Sequence, residues 1–213
     1  MRIWSRELGE FAANCYIIAC PESGAAAVVD PGQPDPWITR TLAEKGLKAE
    51  VILLTHGHLD HIGGVAWLKR EIGAPVLIHR DDAPLLTDPT LNGSALFGAP
   101  VVAPPADRLL NHGDEVTVGS LRFQVIHTPG HTPGGVCFYL APEGSQRRVG
   151  HLISGDTLFA GSVGRTDLPG GSHAQLIHSI RERLLPLPPD TVVYPGHGPT
   201  TTIGEEQAYN PFL

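Results

Sequence analysis

The sequence predicts one α/β domain in which two β-sheets pack together and helices cover their outer faces. The chain has 213 residues, a length that suits one such domain or at most two small ones. Short apolar runs rich in Val, Ile and Ala are interspersed with segments of helical spacing. The 25 glycines and 20 prolines exceed average usage and indicate many turns. Because no linker-like segment divides the chain, we expect a single domain over residues 1–213.

The first half of the chain contains a strand–helix–strand unit preceded by two strands and a short helix. The run Val51–Thr55 is apolar throughout, which is typical of a strand buried on both faces. Apolar residues three and four apart predict a helix over Gly63–Ile72, and the earlier helix is predicted over Trp37–Glu44. The other predicted strands of this half are Asn14–Cys20, Ala25–Asp30 and Val76–Ile78.

The segment 81–107 is rich in proline and has no regular periodicity. We expect a long loop that packs on the body of the domain through its apolar residues and that contributes to substrate binding. Those apolar residues are Leu91, Leu96, Phe97, Val101 and Val102.

The second half contains further strands and two helices. Gly119 and Ser120 separate two strands of a predicted hairpin. Ser172 followed by Gln175 is a capping-box pattern that begins a helix. The predicted strands are Val116–Val118, Leu121–Ile126, Val136–Leu140, His151–Ser154 and Thr191–Tyr194, with an exposed turn at Glu143–Arg148 and a helical turn at Gly204–Tyr209.

Composition excludes several classes of protein. The chain has 15 basic and 22 acidic residues, a formal charge of −7, and no basic run, so we expect no nucleic-acid partner. No apolar run reaches the 18 or so residues that a membrane span requires, and acidic Glu7 and Glu10 argue against a signal peptide. The three cysteines form no C-x-x-C pair. We therefore expect reduced thiols in a cytoplasmic protein that is a monomer or a weak homo-oligomer.

Four metal-capable side chains fall within six residues, directly after the predicted strand Val51–Thr55. They are His56, His58, Asp60 and His61. Ligands in α/β proteins collect beyond the carboxyl ends of the strands. One tetrahedral ion does not easily accept four groups from one short loop, so two ions sharing the loop is the simpler interpretation. His56 and His58 would then bind one ion, and Asp60 and His61 the other.

Three further metal-capable residues follow other predicted strands, each beside glycine or proline. They are His131, Asp156 and His197. A turn of solvated polar residues would explain any one of them alone, but not seven such residues at four strand ends. For the remaining six histidines, which lack ligand spacing, we expect surface or supporting roles: His79, His112, His127, His151, His173 and His178.

The pattern T-H-x-H-x-D-H at Thr55–His61, followed in order by His131, Asp156 and His197, resembles the metallo-β-lactamase-fold hydrolases. Within them, Gly155–Phe159 and Gly164–Asp167 are most similar to short bacterial members of the glyoxalase II (hydroxyacylglutathione hydrolase) branch. The resemblance implies an αββα four-layer sandwich of two mixed sheets with helices on both outer faces.

The same resemblance implies two divalent metal ions. His56, His58 and His131 would hold one ion, Asp60, His61 and His197 the other, and Asp156 would bridge them. Zn is the expected metal, with Fe or Mn as alternatives. The chain ends about where full-length glyoxalase II enzymes begin a C-terminal helical domain that contacts glutathione, so we expect no such separate domain.

The expected reaction is hydrolysis of a small S-acyl-thiol conjugate, in which the two ions ionise a water that attacks the thioester carbonyl. Asp60 is the candidate catalytic proton acceptor. Arg165 and Phe97 are candidate substrate-binding residues, although an ion pair with Asp167 and packing in the core are the respective alternatives. A mononuclear-iron persulfide dioxygenase, a lactonase or another ester hydrolase on the same fold are alternative functions.

Overall fold

Two six-stranded sheets form the centre of the molecule. The computed structural model describes residues 1–143 and 149–213, and every structural statement refers to these residues. The predicted turn Glu143–Arg148 therefore lies, apart from Glu143, outside the described residues.

The first sheet consists of the strands of the N-terminal half. Its order is β1 (Arg2–Leu8), β2 (Ala13–Ala19), β3 (Ala25–Val29), β4 (Lys48–Leu53), β5 (Val76–His79) and β6 (Arg108–Leu110). Strands β1, β2 and β3 pair antiparallel, whereas β3, β4, β5 and β6 pair parallel. The carboxyl ends of β3, β4 and β5 therefore lie at the same edge of the sheet.

The second sheet has a related topology. Its strands are β7 (Glu115–Val118), β8 (Leu121–His127), β9 (Val136–Leu140), β10 (His151–Gly155), β13 (Val192–Pro195) and β14 (Thr201–Thr202). The pairing is antiparallel from β7 to β10, parallel between β10 and β13, and antiparallel again between β13 and β14. A two-stranded ribbon, β11 (Leu158–Phe159) with β12 (Ser162–Val163), follows β10.

Five α-helices and three other helical turns complete the fold. The predicted capping box is confirmed, because the Ser172 hydroxyl accepts a hydrogen bond from the Gln175 amide at 3.4 Å. The helix predicted over Gly63–Ile72 is divided: one short helix begins at Leu59 and the next at Val65. The helices are α1 (Pro36–Glu44), α2 (Leu59–Ile62), α3 (Val65–Ile72), α4 (His173–Ser179) with a π-helical turn (Ile180–Leu184), and α5 (Ile203–Tyr209), and the 3₁₀ turns are Ala83–Leu86 and Ser94–Phe97.

Three apolar clusters hold four layers together. The central cluster joins the facing sides of both sheets through residues such as Phe123 and Phe138. A second cluster packs α1 and α3 on the outer face of the first sheet, and a third packs α4 and α5 on the outer face of the second sheet. This arrangement confirms the predicted αββα four-layer sandwich.

Strand β1 and the loop 81–107 also differ from the sequence expectation. Strand β1 is not predicted, because it is an edge strand with mostly exposed or half-buried side chains. The loop 81–107 is anchored largely by buried residues other than those expected, among them Leu86, Asn92 and Ser94, while Leu96 and Phe97 are exposed. In residues 1–143 and 149–213, no helix has the length and apolar character needed to cross a membrane.

Candidate metal centre

The seven predicted ligand residues meet at one edge of the two sheets. His56 to His61 follow β4, and His131 follows β8, with Pro129 and Gly130 in the intervening turn. Asp156 and His197 come directly after β10 and β13, which are parallel neighbours. Since parallel strands end at the same edge of a sheet, this topology places all these loops together.

Three imidazole nitrogens form the first group. His58 Nδ1 lies 2.9 Å from His131 Nε2, which lies 3.3 Å from His56 Nε2. All three side chains are buried. A tetrahedral ion with Zn–N bonds of about 2.0–2.1 Å separates its ligand atoms by about 3.3 Å. The spacing of this trio therefore fits one divalent ion.

A second trio of candidate ligands, Asp60, His61 and His197, lies beside the first. His197 Nε2 is 3.2 Å from Asp60 Oδ2, and His61 Nε2 is 3.8 Å from the same oxygen. Asp156 lies between the groups: its Oδ1 is 3.4 Å from His61 Nε2, and its Oδ2 is 3.6 Å from His131 Nε2. One carboxylate thus faces both trios, which is the position of a bridging ligand.

The electrostatics of the site fit bound cations. His61 Nε2 and Asp156 Oδ1 are buried and have no hydrogen-bond partner among the described residues. Burial and the neighbouring His61 imidazole hold the pKa of His56 well below its usual value, and burial lowers the pKa of His58 to about 3. Both rings are therefore neutral, as metal ligands must be. Burial alone would lower the pKa of His61, but Asp156 and Asp60 raise it well above its usual value, so positive charge is stabilised at this point.

Hydrogen-bond partners of the Nδ1 atoms orient three of the candidate ligand histidines. His56 Nδ1 lies 3.1 Å from the Thr55 hydroxyl, and His131 Nδ1 lies 2.7 Å from the Arg165 carbonyl oxygen. His61 Nδ1 lies 3.0 Å from Asp30 Oδ2. Such partners fix the ring orientation and raise the basicity of the nitrogen that faces the metal.

Asp30 is a supporting residue that the sequence reasoning missed. Its carboxylate also accepts hydrogen bonds from the Thr55 amide at 2.8 Å and from the Thr55 hydroxyl at 2.6 Å. The available signal was its position: Asp30 follows an apolar strand and precedes Pro31 and Gly32, the same pattern that marks the ligands at the other strand ends.

Asp82 is a second missed residue, and it connects two ligand loops. Its carboxylate accepts hydrogen bonds from the amides of Gly57 (2.9 Å) and Gly134 (2.6 Å) and from the Thr132 hydroxyl (2.7 Å). Burial raises the pKa of Asp82 to about 6, against the effect of these three donors. Gly57 separates two candidate ligands and Thr132 adjoins His131, so Asp82 fixes the relative position of both loops.

Glycine is required where the backbone approaches the Asp156 carboxylate. A Cβ atom on Gly196 would lie 2.0 Å from Asp156 Oδ1, well inside contact distance. Gly155, which precedes Asp156, has φ +48°, and a Cβ there would lie 2.4 Å from the Thr55 hydroxyl. Part of the glycine surplus therefore permits the close packing of this centre.

A family model for the metallo-beta-lactamase superfamily matches residues 8–197. The chain belongs to the metallo-beta-lactamase superfamily. This result confirms the resemblance drawn from the Thr55–His61 motif and identifies the chain as a metallo-hydrolase, whose His/Asp clusters could hold divalent metal.

Two curated superfamily relatives cover almost the whole chain. A probable metallo-hydrolase, YqgX, of Bacillus subtilis is 40% identical over 99% of this chain and 97% of its own length. The hydroxyacylglutathione hydrolase GloC of Haemophilus influenzae is 38% identical over 95% of this chain and 93% of its own.

Solved structures of the superfamily superpose closely on the chain. The BLEG-1 B3 metallo-beta-lactamase is 42% identical with a TM-score of 0.92, covering 100% of this chain and 99% of that one. TTHA1623 in a di-iron-bound form is 40% identical with a TM-score of 0.83, covering 99% and 100%. ETHE1 from Myxococcus xanthus is 29% identical with a TM-score of 0.77, covering 99% and 84%.

A cavity of about 340 Å³ opens onto the metallo-hydrolase centre, and both candidate substrate-binding residues line it. Phe97 is 56% exposed, so the alternative that it packs in the core is wrong. Arg165 makes two hydrogen bonds of 2.8 Å to Asp167, which is the ion pair considered from the sequence. Metal ligation by the seven residues and substrate contact by these two stay predictions.

One further histidine cluster does not have metal-site geometry. The rings of His79 and His127 stack 4.0 Å apart with an interplanar angle of 13°, and Asp81 is close to His79. An ion bound by an imidazole lies near the plane of the ring, so two nearly parallel rings cannot share one ion without rotating. His127 Nε2 instead contacts the Pro133 carbonyl oxygen at 2.9 Å, which orients the turn before Gly134.

Proposed function

We propose that this metallo-hydrolase cleaves thioesters of small S-acyl-thiol conjugates, as a hydroxyacylglutathione hydrolase does. The observation that carries the proposal is the composition of the cavity. Its polar lining consists of candidate metal ligands and Arg165, without a tyrosine, lysine, serine or cysteine among the described lining residues. An alkoxide or amide leaving group needs a proton donor, whereas a thiolate, with a pKa of about 8.5, leaves without one. The name of the Haemophilus relative agrees with this choice.

Two divalent ions, for which we propose Zn, fit the two trios. His56, His58 and His131 would hold one, Asp60, His61 and His197 the other, and Asp156 would contact both. Bound there, the ions supply Lewis acidity toward a carbonyl oxygen and lower the pKa of a coordinated water.

Asp60 is the group that we assign to proton transfer. Its carboxylate lines the cavity, and the side chain is 16% exposed, so a substrate and a water can reach it. Burial alone would raise the pKa of Asp60, but the His61 and His197 imidazoles lower it. Asp60 is therefore ionised at neutral pH and able to accept a proton.

The test is metal analysis followed by a thioester assay on the same preparation. We expect close to two divalent ions per chain and metal-dependent release of thiol from S-D-lactoylglutathione. Asp60→Asn should lower turnover about 100-fold while the protein stays folded. Glu7→Gln, on exposed β1, is the matched control. A fully metal-loaded protein that releases no thiol from any thioester would refute the proposal.

The likeness to ETHE1 favours one second candidate, a persulfide dioxygenase with a single iron. One iron per chain, oxygen uptake with a persulfide, and no thioester turnover would establish it. A lactone and a β-lactam belong in the same substrate panel, the latter because BLEG-1 is called a metallo-beta-lactamase.

A further inference from the structure

The wall of the cavity above the metal centre is apolar and carries little free charge. Apart from the candidate ligands, its lining includes three phenylalanines and one cation, Arg165. Arg165 donates from Nε and Nη2 to the Asp167 carboxylate, so a neighbouring carboxylate already compensates its positive charge. The apolar lining residues are Phe11, Leu59, Phe97, Phe159, Val163 and Leu168.

Phe11 is held in the cavity wall by a tight turn between β1 and β2. The amide of Ala12 donates to the Gly9 carbonyl oxygen at 3.2 Å, and Ala12 has φ +53°, a conformation that costs energy for a residue other than glycine. The side chain of Phe11 is nevertheless 41% exposed. The turn therefore holds an apolar ring open to solvent at the mouth of the cavity, and backbone strain of this kind concentrates at binding sites.

Phe97 is held beside Phe11 by a second, well-anchored loop. The buried Asn92 donates from its amide group to the carbonyl oxygens of Leu85 (2.9 Å) and Val101 (3.0 Å). The Ser94 hydroxyl accepts from the Val101 amide at 2.9 Å. The exposure of Phe97 is thus a property of an ordered loop.

The two rings meet edge to face, with centroids 5.0 Å apart and an interplanar angle of 76°. Together they form an apolar wall that continues down to Leu59, next to Asp60. An exposed apolar surface that leads into a reactive centre is typical of a ligand-binding groove.

We infer that the thiol carrier of the substrate is an apolar group, aromatic or alkyl, which packs against Phe11 and Phe97. This inference rests on the proposed thioester hydrolysis. A peptide-like carrier with two carboxylates, such as glutathione, would place charge against this wall, where Arg165 is already paired. The pair Phe11 and Phe97 determines specificity for the carrier and takes no part in the bond cleavage.

The experiment compares two thioesters that share the D-lactoyl group and differ in the thiol. One is S-D-lactoylglutathione, and the other is the D-lactoyl thioester of benzyl mercaptan. We expect the benzyl thioester to have a kcat/KM at least tenfold higher. Phe97→Ala and Phe11→Ala should each lower the kcat/KM of the benzyl thioester about tenfold, mainly by raising KM. Each should change the kcat/KM of the glutathione thioester by less than threefold. Phe97→Leu, which keeps apolar area, should restore most of the loss.

Leu96→Ala is the matched control, because Leu96 lies in the same 3₁₀ turn, is 71% exposed and does not line the cavity. Leu96→Ala should leave the kcat/KM of both substrates unchanged. A preference for the glutathione thioester, or an equal effect of the Phe variants on both substrates, would overturn the inference and leave thioester hydrolysis intact. Absence of turnover with both substrates would instead overturn the proposed function, and the inference with it.

Discussion

Gly196→Ala tests whether close backbone approach holds the carboxylate of Asp156, the candidate bridging ligand. The added Cβ would lie 2.0 Å from Asp156 Oδ1. Ordinary carbon–oxygen contacts are about 3.3 Å or longer, so one of the two atoms must move by about 1.3 Å. The backbone of Gly196 is fixed on both sides, because its amide donates to Gly155 at 2.8 Å and its carbonyl accepts from Asn14 at 2.7 Å. The displacement therefore falls mainly on Asp156.

A shift of about 1 Å in a reacting group costs on the order of 100-fold in rate. We therefore expect turnover of the best thioester to fall about 100-fold in Gly196→Ala, with metal content below that of the unsubstituted protein. The assays are metal analysis after gel filtration and steady-state kinetics. The control is Gly198→Ala, where φ is +73° and no atom lies within 4 Å of the new Cβ, so strain changes stability without displacing Asp156. Full metal content and unchanged turnover in Gly196→Ala would refute the reasoning.

Three further predictions concern the support of the site. Asp30→Asn removes the carboxylate that faces His61 Nδ1 at 3.0 Å, so metal affinity should fall about 10- to 100-fold in chelator competition; an unchanged affinity would contradict this role. Asp82→Ala leaves three buried donors without an acceptor, so it should lower the free energy of unfolding, measured in urea, by roughly 3 kcal/mol or more. The control Asp81→Ala, at a half-exposed side chain, should lower it by less than about 0.5 kcal/mol. Divalent metal at about 100 times its dissociation constant should add about 2.7 kcal/mol to the free energy of unfolding, seen as a higher Tm that a chelator reverses; a Tm independent of metal would show that the trios do not bind it.

The sequence indicated the loops of the candidate ligands, which the fold brings together, because two local signals coincide there. Each loop follows a strand that an apolar run or an apolar alternation predicts, and each carries histidine or aspartate beside glycine or proline. Strand β1 lacks the first signal. It pairs only with β2, in a register from Arg2 opposite Ala19 to Leu8 opposite Ala13, and its polar residues face solvent. Its existence depends on a partner strand rather than on its own composition.

Residues that act through other residues were not predictable in the same way. Asp82 is an aspartate next to a turn, a common arrangement in any protein, and its role is visible only when the fold brings Gly57 and Gly134 to it. Asp30 shares the strand-end pattern of the candidate ligands, but its contact with Thr55 is visible only in the fold. For Phe97, a candidate substrate-binding residue, packing in the core stayed an open alternative because apolar side chains are usually buried. The structure exposes it because its loop is anchored through polar groups and borders a cavity.

The distribution of the candidate ligands has a consequence for folding. The first trio takes two histidines from the first sheet and His131 from the second, and the other trio takes Asp60 and His61 from the first sheet and His197 from the second. Hydrogen bonds already join the two sheets at this edge. For example, the Tyr16 hydroxyl donates to the Pro195 carbonyl oxygen at 2.6 Å. An ion in either trio would therefore join both halves of the domain. Because an ion bound there would take ligands from both sheets, we expect the stabilisation by metal to appear in the cooperative unfolding of the whole domain.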